Sequence, residues 1–261
     1  MRPFGGSLLD GKPNPLRRAE LVAHCLLVET DDGFVLIDTG FGTEDVLGNT
    51  VPLSFRMLVR PRLDLMETAA RQIAGLGFSI ADVRHVILTH LDLDHAGGLR
   101  DFPRASVHVY GAELTAAMER KTPTERNRYV SEQWSHGPEW RTYDAREGDE
   151  WFGFQAVRKL DGLSPDFLIV PLTGHTRGHA GVAVRNGDKW LLHAGDSYFF
   201  HGQLSSAPHI PPGLRLFETL MQTEKKTRLS NQDRLRSLVR DHGDEVDVFS
   251  AHDKVELARY S

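Results

Sequence analysis

Short runs of β-branched and apolar residues recur along the chain with turn-forming clusters between them. The runs at 21–29, 33–38, 83–89, 106–110, 167–171, 181–185, 189–194 and 246–250 predict strands. Asp31-Asp32-Gly33 and Asn186-Gly187-Asp188 each separate two such runs, so both predict tight hairpins and antiparallel pairing. Apolar positions three and four apart predict helices at 65–76, 112–120, 215–224 and 231–241, with Gly75 and Gly77 marking the end of the first. Each half thus reads as strands followed by helix, without a sharp internal repeat. Residues 121–151 break the pattern. They are polar and irregular, and they hold Trp134, Trp140 and Trp151, either as a lid or pocket wall or as anchors that fix an insertion to the body.

The densest chemistry follows the apolar run 83–89: His90-Leu91-Asp92-Leu93-Asp94-His95-Ala96-Gly97-Gly98. Four metal-ligand types fall within six residues. On an extended chain, His90, Asp92 and Asp94 would share one face while Leu91 and Leu93 point into the core. The two glycines permit close backbone packing where the chain turns. A helix start capped by Asp92 or Asp94 would account for one carboxylate and for neither imidazole.

This segment resembles the His-x-His-x-Asp-His signature of the metallo-β-lactamase superfamily, with Asp92 where the second His usually stands. Later pieces are similar in the same order. Gly174-His175-Thr176-Arg177-Gly178-His179 resembles the Gly-His-Thr-x-Gly-His element, Leu192-His193-Ala194-Gly195-Asp196 the strand end bearing a bridging Asp, and Ser250-Ala251-His252-Asp253 the last ligand. Asp38-Thr39-Gly40 is similar to the Asp-Thr-Gly turn near the family's site. The resemblance implies an α+β fold, an αβ/βα four-layer sandwich of two mixed sheets flanked by helices, as a single domain over 1–261. It also implies that His90, Asp92 and His175 hold one divalent ion, that Asp94, His95 and His252 hold a second, and that Asp196 bridges them. Zinc is the first expectation, with manganese or iron as alternatives. Two such ions about 3.5–4 Å apart can share a hydroxide nucleophile, and Asp94 is the candidate to relay a proton to the leaving group.

Asp92 is the departure from the family pattern. With Asp94 and Asp196 it makes three carboxylates, a harder and more anionic set that accommodates manganese or iron better than a histidine-rich one. Flavodiiron oxidoreductases carry Glu at that place, but with an added flavodoxin-like domain for which this chain has no length. Lactonases of the superfamily often place Tyr three residues after the bridging Asp. Here that residue is Phe199, and Tyr198, one place earlier, is the candidate substrate contact. His179 is expected to orient a neighbour. His85, His108 and His193, in or beside strands, read as core or edge residues, and Cys25 as a small hydrophobe.

Composition narrows the function further. The 261 residues are 40% hydrophobic and 26% charged, as in an ordinary globular domain. A net charge of -5 without a dense basic run argues against a nucleic-acid partner. One cysteine excludes an intrachain disulfide and a zinc-thiolate cluster. No apolar run approaches the roughly 20 residues of a membrane span, and the first residues lack a signal core, so a cytoplasmic location is expected. The resulting expectation is a metal-dependent hydrolase of a small molecule with an ester-like bond, a lactone first. Thioesterase, phosphodiesterase, iron-dependent oxidoreductase or sulfur dioxygenase, and a non-catalytic metal-binding module are the alternatives.

Overall fold

Hairpins organise both sheets of the computed structural model, which describes residues 1–48, 50–144 and 148–260. The chain divides into two units, Ala23–Tyr143 and Met1–Val22 with Asp144–Ser261. The first holds a five-stranded sheet in the order β1-β2-β3-β4-β5, formed by Leu26–Thr30, Gly33–Ile37, Val83–Ile87, Ser106–Tyr110 and Glu139–Tyr143. The Asp31-Asp32 turn closes β1 onto β2 with Thr30 opposite Gly33, and β2 to β5 then run parallel. Parallel strands are normally covered on both faces. Val86 and Ile87 on β3, with Val107 and Val109 on β4, are accordingly buried, and Val86, Val107 and Val109 share a core with Leu91, Leu99 and Trp134.

The second unit holds six strands in the order β11-β10-β9-β8-β7-β6, from Asp149–Trp151, Phe154–Lys159, Phe167–Pro171, Ala180–Asn186, Lys189–His193 and Val246–Phe249 as β6 to β11. Asn186 faces Lys189 across the hairpin, with Gly187 at φ +60°, and only β10 and β11 pair in parallel. Both sheets are therefore mixed. The helix Lys225–His242 brings Leu235 and Leu238 into the core with Leu172, Leu192 and Val248.

Strand direction places the motif loops. Because β2 and β3 are parallel, Asp38 and His90 leave the first sheet at one edge. In the second sheet β8 and β10 each run antiparallel to β9, so β8, β10 and β11 point the same way. The segments carrying His175, Asp196 and His252 follow their ends.

The eight expected strands form, with the first shortened: residues 21–25 lie outside β1. Three more strands, β5, β6 and β7, lie in or next to the stretch that reads as irregular. Edge strands β5 and β6 are largely exposed and need no apolar run, so their sequence gives little sign of pairing. Trp134 sits in the first core with Trp140 packed against it, and Trp151 in the second, so all three rings are packing anchors. Among the described residues, no helix is long and apolar enough to cross a membrane.

Candidate metal centre

The first unit contributes the segment that follows β3. The strand ends before His90, Asp92 has an extended backbone, and the helix Leu93–Ala96 begins after it. The extended reading of the motif therefore ends at Asp92, because a helical turn places Asp94 and His95 more compactly than a strand would. Asp92 occupies the cap position, yet its side chain makes no capping hydrogen bond. Its Oδ2 lies 3.4 Å from His90 Nε2 and 3.3 Å from Arg128 Nη1. Leu91 and Leu93 go into the core as expected, and the four ligand-type side chains are also buried. A side chain at Gly97 would force its neighbours to shift: a Cβ would lie 2.2 Å from Asp45 Oδ2 and 2.7 Å from the Gly40 carbonyl.

Asp38 organises both imidazoles of this segment. It sits in the left-handed region at φ +53°, a backbone that costs energy and is kept where the surroundings hold it. Its Oδ1 accepts the Thr89 N–H and its Oδ2 accepts the Thr89 hydroxyl, both at 2.8 Å. The His95 Nδ1–H donates to the same Oδ2 at 2.8 Å. With the Thr89 hydroxyl proton spent on Asp38, the hydroxyl oxygen accepts from His90 Nδ1 at 3.0 Å. One carboxylate thus fixes the tautomers of His90 and His95 so that Nε2 is the donor toward an ion.

In the second unit, Asp196 stands between two imidazoles. His175 Nε2 is 3.4 Å from Oδ2, and His252 Nε2 is 3.1 Å from Oδ1. His252 Nδ1 donates to the Val22 carbonyl at 2.7 Å, since a carbonyl can only accept, and Nε2 is the nitrogen turned toward Asp196. His179 holds Asp196 from behind: its Nδ1 donates to the Leu172 carbonyl and its Nε2 accepts the Asp196 N–H at 2.8 Å. His179 therefore orients a neighbour, as its place in the motif suggests. Gly174, at φ +126°, lets the His175 loop approach the helix Lys225–His242, where a Cβ would lie 2.4 Å from Arg228 N.

The donor set fits divalent ions. A tetrahedral site with ligands about 2.1 Å from the ion has edges of about 3.4 Å. That is the His90–Asp92 and the His175–Asp196 separation, longer than a good N–H···O hydrogen bond. Imidazole nitrogen and carboxylate oxygen suit zinc, manganese or iron.

Several residues differ from their expected place. Tyr198, the expected substrate contact, is fully buried, and its hydroxyl donates to the Glu256 carboxylate, with both oxygens at 3.0 Å. Phe199, three residues after Asp196, stacks on His252 with ring centroids 5.0 Å apart and offers no hydroxyl. Glu256 also accepts the Ser250 N–H at 2.7 Å, tying together the turns that bear Asp196 and His252. Burial pushes its carboxyl up to about 7. Arg128 escaped the sequence reading because nothing local links it to a motif 36 positions earlier. It changes the charge count at Asp92, since the extra carboxylate has a buried guanidinium beside it. His85 and His108 are bonded to each other at 2.9 Å, with Tyr143 on His108 Nδ1, and burial holds His108 down to about 3. His193 is buried against Phe249. These three are the core and edge histidines expected.

Two mixed sheets with flanking helices, and histidine and aspartate clusters on strand-end loops, define a class of metal-dependent proteins. The chain belongs to the metallo-β-lactamase superfamily, whose model matches residues 18–242. A probable metallo-hydrolase of Mycobacterium tuberculosis is 43% identical over 241 residues, covering 92% of this chain and 77% of the relative. An N-acyl homoserine lactonase of Rhizobium johnstonii is 31% identical over 179 residues, 64% of this chain and 60% of the relative. A solved N-acyl homoserine lactone hydrolase, with the product N-hexanoyl-L-homoserine at its catalytic metal centre, superposes with a TM-score of 0.72 at 19% identity. That match covers 99% of this chain and 92% of the other, and shows the shared fold.

Proposed function

We propose that this chain is a binuclear metal-dependent hydrolase of ester-like bonds, with lactones as its first substrates. The observation that carries the proposal is the set of seven buried donors in family order, with the Nδ1 of His90, His95 and His252 each engaged by a protein group. In this reading, which follows the motif resemblance, one ion would be held by His90, Asp92 and His175 and the other by Asp94, His95 and His252, with Asp196 serving both. Bound, the two ions supply Lewis acidity, bringing the pKa of water to about 7 and polarising the substrate carbonyl. The chain's own residues do the rest. Asp196 would serve both ions, Asp38 and His179 hold ligand side chains in orientation, and Asp94 would take the proton released by the attacking water and return it to the leaving alkoxide.

The lactone assignment rests on relatives that are N-acyl homoserine lactonases and on a fold neighbour described as a dizinc quorum-quenching lactonase. Phe199 stacks on His252 and offers no hydroxyl to a substrate carbonyl at that position. The test is hydrolysis of N-acyl homoserine lactones, simple lactones, thioesters and phosphodiesters by protein reconstituted with zinc, manganese or iron. Lactones are expected to turn over fastest. Turnover of phosphodiesters alone would overturn the assignment.

A further inference from the structure

We propose that Asp92 and Arg128 act as one neutral unit in the place of the imidazole that the family motif carries, with Arg128 as the positioning residue that cancels the added charge. The inference rests on the metal-binding reading above and deepens it. The side chains are 10% and 4% exposed, so water screens neither charge well, and Nη1 lies 3.3 Å from the same Oδ2 that faces His90. A lone carboxylate in place of histidine would make the site one charge more negative. The guanidinium restores the balance while leaving an oxygen donor where nitrogen is usual.

The surrounding chain is built to bring these two residues together. Arg128 ends the helix Pro123–Arg128, whose start is fixed by a reciprocal cap: Thr122 Oγ1 accepts the Glu125 N–H, and Glu125 Oε2 accepts the Thr122 N–H. The next residue, Tyr129, donates its hydroxyl to Glu113 Oε1 at 3.1 Å, and that oxygen also accepts the Leu91 N–H at 3.0 Å. Gln133 Nε2 donates to the Leu93 carbonyl at 3.0 Å. The segment that delivers Arg128 thus holds Leu93 directly and Leu91 through the Glu113 carboxylate it shares with Tyr129. Loss of the guanidinium leaves a hard, uncompensated anion and favours manganese relative to zinc. Histidine at 92 with Arg128 retained puts a cation against a metal-bound imidazole.

The test is a double-mutant cycle on the full chain, using Asp92→His, Arg128→Met and the two combined. Zinc and manganese affinities are measured by chelator competition, and the thermal midpoint of the metal-free protein serves as a second readout. Asp92→His alone should lose roughly tenfold or more in zinc affinity, and Arg128→Met alone should shift the zinc-to-manganese ratio toward manganese by roughly tenfold, the scale seen for groups that support metal ligands. The combined variant should return zinc affinity to within about threefold of the parent, a coupling that independent sites do not show. Arg128→Lys keeps the charge and should keep the parent's metal ratio even if it is less stable. Simple addition of the two single effects would overturn the proposal. So would an Arg128→Met protein with lowered thermal stability and an unchanged metal ratio, which would make Arg128 a packing residue. A parent protein that binds neither metal would instead overturn the underlying metal-binding reading.

Discussion

His95 Nδ1 donates to Asp38 Oδ2 at 2.8 Å, although 57 residues separate the two in the chain. Through Thr89 the same carboxylate reaches His90, so a single acid behind the ligands sets the orientation of two imidazoles. Asp38→Asn should keep the fold, because asparagine tolerates the left-handed backbone at this position. The amide brings N–H groups to a carboxyl site that accepts several protons. Metal affinity is expected to fall about 10- to 100-fold. Isothermal titration of the metal-free protein with zinc, beside an unchanged far-ultraviolet circular dichroism spectrum, checks this.

Asp196 is held by His179 from behind and faced by His175 and His252. An Asn amide has one oxygen to offer two cations. Asp196→Asn should lower lactone turnover by orders of magnitude and reduce the metal content below two ions per chain, with the thermal transition of the metal-free protein largely preserved. Elemental analysis and steady-state rates on the same preparation decide it. Normal turnover would remove Asp196 from the bridging role.

Burial raises the Glu256 carboxyl from its ordinary 4.5 to about 7, against the opposing effect of hydrogen bonds from Ser250 and Tyr198. Between those two values the folded chain keeps a proton that the unfolded chain has released. Glu256 therefore contributes stability below pH 4.5 that is lost as pH rises through 7, on the order of 3 kcal/mol by pH 8. Glutamine can accept from Ser250 and donate to the Tyr198 oxygen while staying neutral. In urea unfolding of the metal-free proteins, the advantage of Glu256→Gln over the parent should grow from pH 5 to pH 8. A constant difference would show that Glu256 does not titrate in this range.

Gly97 and Gly75 form a matched pair for the close packing of the motif turn. A Cβ at Gly97 would meet Asp45 Oδ2 at 2.2 Å and the Gly40 carbonyl at 2.7 Å, whereas Gly75 has nothing within 4 Å. Gly97→Ala should destabilise by about 1–3 kcal/mol through overpacking. Gly75→Ala, at the end of the helix Ala69–Gly75, should be neutral or stabilising by up to about 1 kcal/mol. Denaturant midpoints of the two variants at one pH make the comparison.

The sequence by itself determined the parts whose signals are local. Both hairpin turns and the buried strands were legible because alternation and turn residues are written within a few positions of one another, and the seven candidate ligands were named because four short motifs resemble those of the superfamily in the same order. His179 was legible too, since its role comes with the motif that contains it. Tertiary structure decided what depends on distant residues. The edge strand Glu139–Tyr143 pairs with Ser106–Tyr110 without an apolar run of its own. Tyr198 turned inward because Glu256, 58 residues later, accepts its hydroxyl. The charge at Asp92 was settled by Arg128, which helix capping and the contacts of Tyr129 and Gln133 bring to it. A carboxylate's donor type can be read from its letter in the chain, but its effective charge depends on which buried cation the fold packs beside it.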